Sequence, residues 1–191
     1  MSSLVPETPL EGGCACGHIR YCMTAHPLAI HCCHCHHCQR ETGSAFALNA
    51  LLESPHLTLQ PPSPAPVVIA TPTLSGTPQR VARCPRCYVA VWSHYSSAGE
   101  TMAFVRVGTL DPEAKNAVGE PTVHIYCESK VGWMGLPEGA RVCGEYYDRR
   151  EVWGRESLER LERYWPVIVE WKEKKEKEMA EAEGKVEQKE E

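Results

Sequence analysis

Segments rich in Val, Ile, Thr and aromatic residues recur along the chain and predict strands at 19–23, 56–60, 67–71, 89–95, 101–109 and 122–128, most of them bounded by Gly, Pro or Ser. The body is therefore expected to be mainly β. Between Pro55 and Pro78 stand seven prolines, which withhold backbone donors, so that stretch is expected to form loops and edge pieces rather than a central strand. After Gly154 the period changes: Leu158, Leu161, Tyr164 and Trp165 fall at helical spacing and predict a short docking helix that Pro166 ends or kinks. From Lys172 to Glu191 six Lys and eight Glu occupy 14 of 20 positions, which reads as a solvated helix or a disordered end without a catalytic role. The chain thus divides into one β domain at 10–150, a helical appendage at 151–171 and a charged tail at 172–191.

Composition adds the chemistry. With 191 residues, 42% of them hydrophobic, the chain can bury a core of its own, but eleven cysteines and nine histidines are unusual, and an odd number of cysteines cannot all pair within one chain. Residues 1–12 contain no Lys or Arg and no apolar run like a signal-peptide core, and no stretch reaches the ~18 apolar residues a membrane span needs. A reducing, cytoplasmic setting without a membrane partner is expected. The net charge of −5, with no basic residue before Arg20, argues against a nucleic-acid partner. Thiols in that setting point to metal or to thiol chemistry.

Two arrangements stand out. Cys14 and Cys16 lie in a Gly-rich turn, and Cys84 and Cys87 form a second close pair; two such pairs can close a tetrahedral structural zinc site. A redox disulfide at Cys84 and Cys87, or unrelated buried thiols, are the rival readings. The second arrangement is the run His31-Cys32-Cys33-His34-Cys35-His36-His37-Cys38. Read as Cys33, Cys35 and Cys38 it offers three thiolates and an open fourth position, the pattern of a reactive zinc. The frame Cys32, Cys35, Cys38, and closure by His31, His34, His36 or His37, remain alternatives. Cys22, Cys127 and Cys143 lack ligand spacing and read as small buried hydrophobes, while Cys32 reads as an adventitious ligand or an oxidation-prone thiol.

In order, Gly13-Cys14-x-Cys16-Gly17-x-Ile19-Arg20-Tyr21, Cys33-His34-Cys35-x-x-Cys38-Gln39, Gly43-Ser44-Ala45-Phe46, Cys84-x-x-Cys87, Gly108-Thr109-Leu110-Asp111, His124-Ile125-Tyr126 and Trp133 resemble the glutathione-dependent formaldehyde-activating enzyme family, which also includes centromere protein V. The likeness runs from about Gly12 to about Leu136. It implies a β-tent fold around two zinc ions, with Cys14, Cys16, Cys84 and Cys87 on the structural ion and Cys33, Cys35 and Cys38 on the catalytic one. It also implies carbon–sulfur lyase activity on glutathione and formaldehyde. One departure is local: where the family has Gly after the late pair, this chain has Tyr88, a burden on the turn if that position is left-handed.

Three thiolates give a zinc centre a formal charge of −1, a poor Lewis acid for hydrolysis but a suitable seat for a further thiolate. The expected substrate is a small thiol, glutathione or its conjugate, whose sulfur binds that zinc and attacks or leaves a carbonyl carbon. His34, His36 and His37 are the local candidates for the oxygen's proton, His34 foremost. Ser44 and Phe46 are candidates for the substrate cavity, Phe46 reading alternatively as a core residue; His124 and Trp133 match the family as well, although buried packing is the commoner fate of a Trp in a β domain. The rival function is a non-catalytic zinc-stabilised module that binds protein, as in centromere protein V; a homo-oligomer is compatible with either.

Overall fold

The structure, a computed structural model, describes Pro6 and residues 8–187. The outer residues of the N-terminal stretch and of the charged tail, 1–5, 7 and 188–191, lie outside them. Strands β1 (Leu10–Gly13), β2 (Arg20–Met23) and β5 (Leu57–Leu59) form an antiparallel three-stranded sheet in the order β1-β2-β5. The larger sheet has seven strands in the order β10-β3-β4-β9-β8-β7-β6: β3 (Ala29–Cys33), β4 (Ala47–Glu53), β6 (Val67–Thr71), β7 (Gln79–Arg83), β8 (Ala90–His94), β9 (Met102–Arg106) and β10 (Val123–Ile125). Its neighbours are antiparallel except β10, which runs parallel to β3. Helices α1 (His36–Thr42), α2 (Pro112–Val118) and α3 (Arg149–Val152) are short, and α4 (Arg155–Glu187) is long.

The large sheet is covered on both faces. Ile19, Tyr21 and Met23 of the small-sheet side pack with Ile30, Ala50, Leu52, Ala82 and Val105. On the other face Ala29, Cys33, Leu51 and Ile125 meet Trp153, Leu161 and Ile168. Consecutive strand residues point to opposite faces, so β3 and β4, buried at nearly every position, carry one core on their even positions and the other on their odd ones. The prolines place β5 at an edge of the small sheet and β6 at an edge of the large one, as expected of segments poor in donors.

Two expectations are corrected here. The predicted strand at 101–109 ends at Arg106, where a 3-10 turn begins, and that at 122–128 ends at Ile125. The C-terminal helix does not stop at Pro166 but runs to Glu187. Pro166 and Glu162 are exposed, so the carbonyl that loses its donor faces water, while the buried stripe continues past the proline through Ile168. Trp171 extends it over Gly99, whose φ of 48° and whose place 1.9 Å from the indole, measured from where a Cβ would stand, exclude a side chain.

Several residues of the N-terminal motif have structural work. The Arg20 guanidinium donates to both oxygens of Asp111, at 2.9 and 2.5 Å, fixing the start of α2. The Tyr21 and Thr109 hydroxyls meet at 2.6 Å. At Gly13 a Cβ would lie 2.4 Å from the Ile19 carbonyl oxygen, so only glycine lets the chain turn back so tightly toward Cys14.

Candidate functional site

All eleven thiols are free, so no disulfide links Cys84 and Cys87. The sulfurs of Cys14, Cys16, Cys84 and Cys87 all lie within 4.8 Å of one another. Cys14 and Cys16 are 3.6 Å apart, and Cys16 and Cys84 3.7 Å. An ion held tetrahedrally at ~2.3 Å by each sulfur would set them about 3.8 Å apart, so the thiols already stand near the corners of such a shell. Backbone N–H groups aim at the sulfurs, from Ile19 to Cys14 at 3.2 Å and from Arg86 to Cys84 at 3.4 Å. The backbone at Val89 draws the Cys87 thiol down to about 6. Donors directed at sulfur stabilise thiolate, the form a metal requires.

The turn after Cys87 closes with the Tyr88 N–H donating to the Cys84 carbonyl at 3.0 Å. Tyr88 has a φ of 58°, so the left-handed position exists and a tyrosine fills it. A left-handed non-glycine residue costs roughly 1–2 kcal/mol, part of which glycine would lose again as chain entropy. Tyr88→Gly should therefore raise stability by up to about 1 kcal/mol, read as a higher denaturation midpoint at unchanged slope.

The second group comprises Cys33, Cys35 and Cys38, whose sulfurs also lie within 4.8 Å of one another. Cys33 ends β3, Cys35 caps α1 and Cys38 lies in its first turn. The Cys33 thiol donates to Cys35 at 3.5 Å and the Cys38 N–H to the same sulfur at 3.4 Å. Bonds from the Cys33 and Cys38 thiols draw Cys35 down to about 2, while the reciprocal bonds push Cys33 well above its ordinary range. A divalent cation would let all three ionise. Helix α1 is pinned beneath by Glu41, which accepts from Arg83 at 2.6 Å and Arg106 at 2.8 Å, and it ends at Gly43 with a φ of 64°.

Around these thiols the sequence missed an aromatic wall. Tyr126 packs against the core that contains Cys33 and Cys38, and burial pushes its phenol up to about 12; the Tyr146 ring lies 6.3 Å from it. Tyr146 stacks on Tyr147 at 4.9 Å; the Tyr147 hydroxyl meets His31 Nε2 at 2.5 Å and accepts from Trp153 Nε1 at 2.7 Å. Tyr126 lies inside the His124-Ile125-Tyr126 motif, but nothing local marks its neighbours 20 residues later.

The other expected residues are distributed differently. His34 is fully buried and, with Cys32, belongs to the face of β3 opposite Cys33; its Nε2 is 3.5 Å from Cys32 Sγ and 3.1 Å from His124 Nδ1. His36 is exposed, and His37 meets Gln79 at 2.9 Å. His31 is not a ligand of either thiol group but the partner of Tyr147. Phe46 is half-buried against the His34 ring and lines, with Glu41, Leu48, Arg83, Tyr88 and Arg106, a cleft of about 380 Å³. Ser44 is exposed and outside that lining. His124 is buried, whereas Trp133, expected in the core, is 81% exposed. Cys22, Cys127 and Cys143 are half-buried rather than core thiols, Cys22 pairing with Thr58 at 3.0 Å.

Fold and site define a mainly β protein with two sheets, a C-terminal helix and cysteine groups able to hold metal ions. The chain belongs to the glutathione-dependent formaldehyde-activating enzyme family, whose model matches residues 9–129. A crystal structure of a Rhodobacter sphaeroides protein is similar at 18% identity and a TM-score of 0.43, over 59% of this chain and 97% of that one. No curated protein matches. Among the described residues no helix is long and apolar enough to cross a membrane.

Proposed function

We propose that the protein is a zinc-dependent carbon–sulfur lyase that joins glutathione, or a related thiol, to formaldehyde or another small carbonyl compound and releases it again. The observation that carries this reading is the group of Cys33, Cys35 and Cys38: three converging sulfurs with no fourth protein ligand among the described residues. In this reading residues 10–150 form a zinc-stabilised β-tent, Cys14, Cys16, Cys84 and Cys87 hold a structural ion, and residues 151–171 and 172–191 are an appendage and a charged tail. When bound at the three thiols, zinc keeps an incoming thiol deprotonated and electron-rich at neutral pH.

The chain's own residues supply the rest. The α1 cap fixes Cys35, and the Glu41 network beneath the helix holds Cys38 in register with Cys33. The substrate sulfur forms a bond to the carbonyl carbon, the C=O electron pair moves to oxygen, and that oxygen takes a proton; cleavage reverses each movement. His34, the first candidate for that proton, is engaged with Cys32 and His124. Tyr126, packed against the cluster that contains Cys33 and Cys38 with its phenol protonated at neutral pH, is the second candidate.

The test is exchange between glutathione and carbon-13 formaldehyde, followed by NMR against the spontaneous rate. The wild type should exceed that rate, and Cys35→Ser should fall to it while keeping its circular dichroism and losing one metal ion per chain. Wild-type exchange at the spontaneous rate would overturn the lyase reading in favour of a binding module.

A further inference from the structure

One polar cluster serves neither thiol group. Parallel pairing aligns His124 of β10 with Cys32 of β3, and His34 lies two residues beyond Cys32 on the same face. The cluster is dry: Cys32 is 1% exposed, His34 0% and His124 5%. Cys32 Sγ, His34 Nε2 and His124 Nδ1 all lie within 4.8 Å of one another.

The distances suit a ligand set. A tetrahedral ion with sulfur at ~2.3 Å and nitrogen at ~2.0–2.1 Å sets S···N about 3.5 Å apart and N···N about 3.4 Å apart. The cluster has 3.5 Å for Cys32 to His34 and 3.1 Å for His34 to His124. Hydrogen bonding leaves a remainder. His34 Nε2 faces two neighbours and carries either one proton or one lone pair, and Nδ1 of the same ring is buried without a hydrogen-bond partner. A cation at the centre takes one lone pair from each imidazole and the charge of the thiolate. It also fixes the His34 proton on Nδ1, the ring nitrogen that faces away from the cluster.

We propose that Cys32, His34 and His124 form a third metal site, for a borderline-soft transition ion such as zinc(II), which clips β10 to β3. One thiolate and two imidazoles select such an ion over magnesium or calcium. The clip secures the edge pair from which Cys33 and Tyr126 project. It joins the His34 N–H bond to the Ile125 carbonyl, at 3.0 Å, in holding the end of β3.

The test is metal content per chain after reconstitution with zinc(II), for the wild type, Cys32→Ala and His124→Ala, each checked for folding by circular dichroism. Each folded variant should hold one ion fewer than the wild type, and Cys32→Ala combined with Cys35→Ser two fewer. A folded variant with wild-type content overturns the proposal. A second measurement covers variants that fail to fold: zinc X-ray absorption of the wild type and of Cys35→Ser. Imidazole scattering should be present in both. A sulfur-only shell, or imidazole scattering lost with Cys35→Ser, overturns the site. The readout is a difference in ions and ligands, so it stands whether or not the lyase reading does.

Discussion

Cys84→Ser should leave the protein unfolded at room temperature. Cys84 is fully buried and begins the turn that brings its own sulfur and that of Cys87 to Cys14 and Cys16. Cys14 follows β1 of the small sheet, whereas Cys84 follows β7 of the large one, so the proposed ion is a crosslink between two sheets. A structural zinc contributes about 10–16 kcal/mol in small domains, and a typical domain's whole stability is only about 5–15 kcal/mol. Losing a ligand also leaves a buried hydroxyl beside three thiols that no ion holds together. Circular dichroism and thermal melting check this: no cooperative transition is expected, and a strong chelator should do the same to the wild type. A variant that melts cooperatively within a few degrees of the wild type would show that the four thiols do not hold the sheets together.

The second large effect is expected from Glu53→Gln. Glu53, at the end of β4, is 2% exposed, and its two carboxylate oxygens accept from Nε and Nη2 of Arg160 on α4. Arg160 Nη1 donates to the His26 carbonyl at 2.6 Å, so one guanidinium ties the long helix to the sheet and to the loop before β3. Neutralising the carboxylate strands a buried positive charge, at a cost of about 3–5 kcal/mol. Denaturant unfolding should show that loss at unchanged slope. Glu53→Leu combined with Arg160→Met should recover a large part of it, because the penalty lies in the unpaired ion rather than in the absence of the pair. Equal losses in Glu53→Gln and in the double variant would contradict this.

The sequence announced the outer strands better than the central ones. β6 has the same bounds in the structure as in the reading from composition, because an edge strand between prolines is locally punctuated. β3 and β4 escaped notice: both faces of each are buried, which erases the polar–apolar alternation that marks a half-buried strand. β1 reads Leu-Glu-Gly-Gly, and its glycines suggest a turn, yet the bend after Gly13 and the pairing with β2 require them. Pro166 suggested a helix end because the local rule does not see Ile168 and Trp171 continuing the packed stripe.

For the site, spacing suggested that Cys14 and Cys16 join Cys84 and Cys87, and the resemblance chose the frame Cys33, Cys35 and Cys38; in the structure the sulfurs within each group lie within 4.8 Å of one another. Direction was not legible. Whether His34 joins Cys33 or Cys32 depends on which face of β3 each occupies, and His124 is brought beside them by a strand pairing across some 90 residues. The aromatic wall was hidden for the same reason, with Tyr146 and Tyr147 both meeting His31 edge-on from beyond the matched family region.

In the proposed reaction the fourth position at Cys33, Cys35 and Cys38 receives the sulfur of a thiol substrate. Its most direct test is a glutathione titration of the cobalt(II)-substituted protein, read in the thiolate-to-cobalt charge-transfer band. This absorbance should rise saturably by about one thiolate's worth per chain in the wild type and should not rise in Cys38→Ser. A wild-type spectrum unchanged at high glutathione, with cobalt bound at the three thiols, would contradict it.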